Sequence, residues 1–283
     1  MKLWISLFHF ILAWLICSST ILQAQQYEVG GVKLYLPSPE GFVDMTASSS
    51  DVFDHFNASV PPQNRLISTY LTEGGAESFE NGNGFTDDIN LLIQTSRANE
   101  GITLSKTQFI EVMQASEKEF DSISIPDSLS EIFSQNYTER FNQRVDVEIG
   151  SMRSMGTFSK AEDHLSVLMI QRAAFTIGDT TTSELYATAC TIMNPAGKLI
   201  FVYTTSSYHS EDDLVRVKEL SNAWRKQISA ANLAPPEKSA DSDDWFLSSL
   251  LRGAIIGGLT ALVLGWWNRR KKRIDETNEE LNS

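Results

Sequence analysis

VDVEIGSMRSMGTF (Val145–Phe158), HLSVLMIQRAAF (His164–Phe175), ELYATACTIM (Glu184–Met193) and KLIFVYTTS (Lys198–Ser206) follow one another with only short links between them. Each reads as a strand, and Asn194-Pro195-Ala196-Gly197 supplies a tight turn between the last two. Four successive strands with short links predict an antiparallel meander, because parallel pairing needs a crossover of a dozen residues or more. A helix from Glu211 to about Ala230 should pack on that sheet. It carries Glu211, Asp212 and Asp213 in its first turn and has Leu214, Val217, Leu220, Trp224 and Ile228 on one face.

Upstream of the meander, VKLYL (Val32–Leu36) reads as a first strand ended by Pro37, and Ser50 opens a short helix that places Val52, Phe53, Phe56 and Val60 together. RLISTYLTE (Arg65–Glu73) and INLLIQTSR (Ile89–Arg97) form a hairpin around a glycine-rich acidic tip. Ser105 with Gln108, and Ser128 with Glu131, have capping-box spacing. They open two helices, the first burying Phe109, Val112, Met113 and Phe120, the second Leu129, Ile132, Phe133, Tyr137 and Phe141. The expected fold class is α+β, a mainly antiparallel sheet with packed helices in an α/β/α sandwich-like arrangement, plus one C-terminal transmembrane helix.

The two ends carry the compartment reading. Residues 1–24 have the form of a signal peptide, with Lys2, an apolar run from Leu3 to Cys17 and cleavage after Ala24, an uncleaved anchor being the alternative. Ile16 before Cys17 excludes a lipoprotein signal. The extracytoplasmic domain spans 25–231, a polar linker 232–244, a transmembrane helix 245–267 and a tail 268–283. Arg269, Arg270, Lys271, Lys272 and Arg273 set the topology by the positive-inside rule, giving an inner-membrane protein with a periplasmic domain and a cytoplasmic C-terminus. Ser249, Gly253, Gly257, Ala261 and Gly265 recur every four residues and form a small-residue ridge along which helices associate. Arg252 is the costly charge in that helix and snorkels towards the headgroups.

Composition bounds the partners. The net charge is -13, and segment 25–244 holds twice as many acidic as basic residues, which argues against nucleic acid. Protein partners or a homo-oligomer, and the membrane itself, are expected. No HExxH, GxSxG, GxGxxG or P-loop is present, so no catalytic, cofactor-binding or metal-binding residues are assigned and no cofactor is expected. His55, His164 and His209 read as surface or capping residues. Glu80–Asp88 offers calcium-type oxygen ligands without the EF-hand register, and reads as a solvated tip. Asn57-Ala-Ser59 and Asn136-Tyr-Thr138 match the glycosylation sequon but fall on expected helices.

With Cys17 in the leader, Cys190 is the one cysteine of the mature chain and a core residue, a reactive thiol being the minor reading. The functional expectation is a membrane-anchored, non-enzymatic binding, assembly or accessory protein. The alternative is a membrane-tethered thiol- or carboxylate-dependent enzyme using Cys190 or the Asp87-Asp88 pair.

VKLYLPSPEGFVDM at the start of the domain and GKLIFVYTTSSY running into the helix that bears Trp224 resemble the PsbP-like α/β/α sandwich family over roughly Tyr27–Asn232. That resemblance implies an extracytoplasmic binding or assembly factor without catalysis. The C-terminal membrane helix departs from the family pattern.

Overall fold

The computed structural model describes residues 25–47, 50–81, 88–120 and 128–235. A seven-stranded, wholly antiparallel sheet forms the middle layer, in the order β3-β4-β5-β9-β8-β7-β6. Its strands are β3 (Phe42–Asp44), β4 (Asn64–Thr72), β5 (Ile89–Ser96), β6 (Val145–Ala161), β7 (His164–Ile177), β8 (Thr180–Met193) and β9 (Ile200–Ser207). The first two strands, β1 (Gln25–Val29) and β2 (Val32–Leu36), make a separate hairpin. The helices are α1 (Ser50–Ala58), α2 (Glu73–Glu80), α3 (Lys106–Phe120), α4 (Ser128–Phe141) and α5 (Glu211–Ala231). β6 to β9 are the meander read from Val145 onward, and β9 closes it by pairing with β5, so the N-terminal strands extend the same sheet.

Strand alternation sorts side chains onto two faces. Leu92, Val167, Cys190, Ile192, Phe201 and Tyr203 point to the face covered by α1 and α3, where Phe56, Phe109, Val112 and Phe120 meet them. α4 continues this layer, seating Leu129, Phe133 and Tyr137 against Val147, Ala173, Phe175 and Tyr186. The opposite face carries the β1–β2 hairpin and α5, with Leu34, Tyr70, Leu91, Ile200 and Val202 packed on Trp224 and Ile228. Nearer its start, α5 places Leu214 and Val217 on Leu168, Ala187 and Ala189.

Several elements differ from the sequence expectation, the short strand β3 among them. The β4–β5 connection is not a bare tip: α2 begins there, its N-cap Thr72 hydroxyl accepting from Gly75 N at 3.0 Å. Glycines 74 and 75 disguise that helix, since glycine is a poor helix former. β1 is polar by sequence and pairs through its backbone, and β6 runs on to Ala161 because β-bulges absorb its irregular pattern.

The transmembrane part of the expected fold class is corrected. Among the described residues no helix is long and apolar enough to cross a membrane. The longest, α5, is one-sided, with Val217, Trp224 and Ile228 buried while the first turn is acidic, so it packs on a sheet rather than in lipid. Residues 1–24 and 236–283 lie outside the described residues, and with them the leader, Arg252, the ridge Ser249, Gly253, Gly257, Ala261 and Gly265, and the basic run Arg269–Arg273.

Candidate functional site

The residues singled out from the sequence do not converge. Cys190 is 0% exposed, in the row Leu92–Tyr203–Cys190–Val167 across four strands. Burial pushes its thiol up to about 12, opposed by a hydrogen bond with Tyr203. Such a thiol stays protonated and out of reach of solvent, as a core residue does. Asp88 is exposed at the start of β5, and residues 82–87, including Asp87, lie outside the described residues. No group of three or more His, Cys, Asp or Glu side chains suited to a metal occurs among the described residues.

Two histidines depart from their expected surface positions. His55 is buried on α1, edge-on to Phe56 and Tyr137. His164 is buried at the first position of β7, where the β6–β7 turn meets α5. Its Nδ1 lies 2.7 Å from Asp163 Oδ1 and its Nε2 lies 2.8 Å from Ser159 Oγ. The other Asp163 oxygen accepts from Ser229 Oγ at 2.9 Å, and Arg225 Nη1 stands 3.3 Å from His164 Nδ1.

Because a carboxylate only accepts, Nδ1 carries the proton and donates to Asp163, so the Arg225 guanidinium beside Nδ1, a donor only, does not bond to that nitrogen; in the neutral ring Nε2 then accepts from the Ser159 hydroxyl. The hydrogen bond from His164, helped by Ser229 and Arg225 against the cost of burial, holds the Asp163 carboxyl down to about 2. A bulge between Thr157 and Ser159 sets the register that puts Ser159 on the α5 side of the sheet, beside His164. Sequence reading missed this cluster because its members are spread over β6, β7 and α5; the Asp163-His164 pair at a strand start was the available signal.

A second feature lies at the far end of the same face. Along β7 every residue from His164 to Met169 is buried, but beyond that the burial alternates. Gln171, Ala173, Phe175 and Ile177 stay buried on the α4 side, whereas Arg172 is exposed and Ile170, Ala174 and Thr176 are half-buried. β8 matches this, with Ser183 and Leu185 exposed. The β6–β7–β8 arm thus runs past the first turn of α5: Ile170 still packs on the Leu214–Val217 cluster there, and beyond it Arg172, Ser183 and Leu185 are exposed. Arg153 opposes Ile170 and Arg172 opposes Leu185, placing two exposed guanidinium groups around an apolar centre.

No protein-family model matches the chain, and no curated protein matches it. Among solved structures, the Ran-binding protein Mog1p of Saccharomyces cerevisiae is similar at 9% identity and a TM-score of 0.28, covering 75% of this chain and 93% of that one. A point mutant of Mog1 is similar at 10% identity and a TM-score of 0.28, covering 74% and 92%. At that TM-score the likeness carries no argument about function.

Neither structure is a PsbP-like protein, and the resemblance to that family is withdrawn. The membrane reading and the inner-membrane location are withdrawn too. They rested on a helix that does not occur among the described residues, and the Mog1 neighbours lend them no support.

Proposed function

We propose that the domain is a binding or accessory module whose open β6–β7–β8 face docks a protein partner. The observation that carries this reading is the outer part of that sheet face: Leu185 is exposed beyond half-buried Ile170, which sits at the margin of the α5 cluster, with Arg153 and Arg172 exposed beside them. A sheet face with apolar residues is ordinarily covered by another layer, and exposed apolar surface rimmed by polar groups marks an interaction site. Arg153 and Arg172 form no ion pair among the described residues, in a chain of net charge -13. A partner surface with carboxylates beside an apolar patch supplies what they lack. Mog1p is named for binding Ran; the partner class argued for this chain rests on the arm alone.

A photocrosslinking residue in place of Leu185, in the full chain in its native cell, tests the reading. The expected result is one saturable protein adduct, lost when Arg153 and Arg172 are both changed to Glu and retained when Lys218 on α5 is changed instead. Adducts that ignore the arginine changes would overturn it.

A further inference from the structure

From the cluster at the other end of β7 we infer that Ser159 is an activated nucleophile that accepts an acyl group from small esters, with His164 as its general base and Asp163 as the positioning residue. Three observations carry this beyond the binding reading. The hydrogen bonds run in the order such chemistry needs, from the Ser159 hydroxyl to His164 Nε2 at 2.8 Å and from His164 Nδ1 to Asp163 at 2.7 Å. The base is fixed: the His164 side chain is 4% exposed, and Ser229 and Arg225 hold Asp163 from the α5 side. The nucleophile is reachable, since Ser159 is half-buried and β6 is an edge strand with no neighbour on its outer side among the described residues.

The bland role for these contacts is a lock between the β6–β7 turn and α5. A lock needs Asp163 bonded to Ser229, which it has, and the adjacent turn already carries a Lys106–Glu162 ion pair at 2.5 Å and a Lys160–Glu117 pair at 2.6 Å. It does not need a serine aimed at the acceptor nitrogen of a buried imidazole. The bulge before Ser159 produces that aim, and bulges next to active sites serve to re-aim a side chain.

The chemistry balances without a cofactor. The Ser159 oxygen attacks the ester carbonyl carbon, forming an Oγ–C bond while its proton passes to His164 Nε2. The C–O bond to the leaving group breaks, and that alkoxide takes the proton from the imidazolium. Water, deprotonated by His164, then releases the carboxylic acid and restores the serine.

The test uses the whole protein with a fluorophosphonate probe, which forms an Oγ–P bond and expels fluoride, and with p-nitrophenyl acetate. The adduct should map by mass spectrometry to Ser159 in folded protein and vanish on heat unfolding. Ser159→Ala should abolish labelling, and Asp163→Asn should slow it by roughly 100-fold, the scale of a general-base contribution. Lys106→Ala breaks the neighbouring Lys106–Glu162 pair of the same turn without touching the cluster and should keep labelling within a few-fold. Circular dichroism confirms that each variant is folded. No adduct on the folded protein, an adduct at another residue, or a rate indifferent to Asp163→Asn would each overturn the inference.

Discussion

The indole Nε1–H of Trp224 donates to the Pro37 carbonyl across 2.8 Å, joining residues 187 positions apart in sequence. Both are buried, and the Trp224 ring stands edge-on to Tyr70 with centroids 5.0 Å apart. The bond ties α5 to the end of β2 and so fixes the hairpin on the sheet. Trp224→Phe keeps a ring there but strands a buried carbonyl, and should cost about 2 kcal/mol plus the lost packing volume. Urea unfolding monitored by far-UV circular dichroism would show this as a lower midpoint with an unchanged slope.

Gly30 and Gly31 turn the same hairpin, both with positive φ (53° and 78°), yet they should respond unequally to substitution. A Cβ on Gly30 would overlap the Glu100 carbonyl oxygen and come within 2.9 Å of Lys198 Nζ, whereas one on Gly31 would meet nothing within 4 Å. The Glu100 carbonyl cannot easily retreat. Lys198 Nζ donates to it and to the Ile102 carbonyl at 3.1 Å each, and the Glu100 carboxylate pairs with Arg65. Gly31→Ala should therefore cost about 1–2 kcal/mol, the left-handed backbone penalty alone. Gly30→Ala should cost clearly more, and a thermal melt of the two variants side by side reads the difference.

Asp163 makes the β6–β7 turn sensitive to acid. Its carboxyl lies at about 2 in the folded protein against an ordinary 3.8, so the ionised form favours folding. The contribution is fully present above about pH 4 and fades as pH falls towards 2. With 47% of that side chain exposed, solvent screens the effect, and the expected change is a modest upturn in stability between pH 2 and 4. Asp163→Asn should flatten that part of the pH–stability curve while leaving the curve above pH 5 parallel to the parent.

How far the chain discloses itself varies by element. Val145–Ser207 announced its meander because the turn Asn194–Gly197 and the strand residues agree locally, and Ser105 does bond to Gln108 at 2.9 Å as the capping box requires. The pairing of β5 with β9 is a contact between Leu92 and Tyr203 that no local pattern encodes. His164 was misread for a similar reason: a lone histidine at a strand start looks exposed until α5, more than sixty residues later, brings Arg225 to it. The open face of the arm was invisible as well, because alternation along β7 shows which residues share a side, not whether a helix covers that side.

Cys190 separates a thiol site from a core packing residue. It lies between Tyr203 and Val167 on neighbouring strands, fully buried, with its thiol pushed up to about 12. A reagent that attacks the thiolate has neither the ionised group nor access in the native state, so modification must wait for the sheet to open. Iodoacetamide should label native protein at a rate that tracks global stability, accelerating with sub-denaturing urea, and should label unfolded protein at the rate of a free peptide thiol. Cys190→Ala should lower stability by about 1 kcal/mol through the small cavity it leaves. It should leave fluorophosphonate labelling at Ser159 unchanged, since the Cys190 side chain faces α1 and α3 while the Ser159 cluster faces α5. Fast alkylation of the native protein would place the thiol at a surface and contradict the packing described for the central strands.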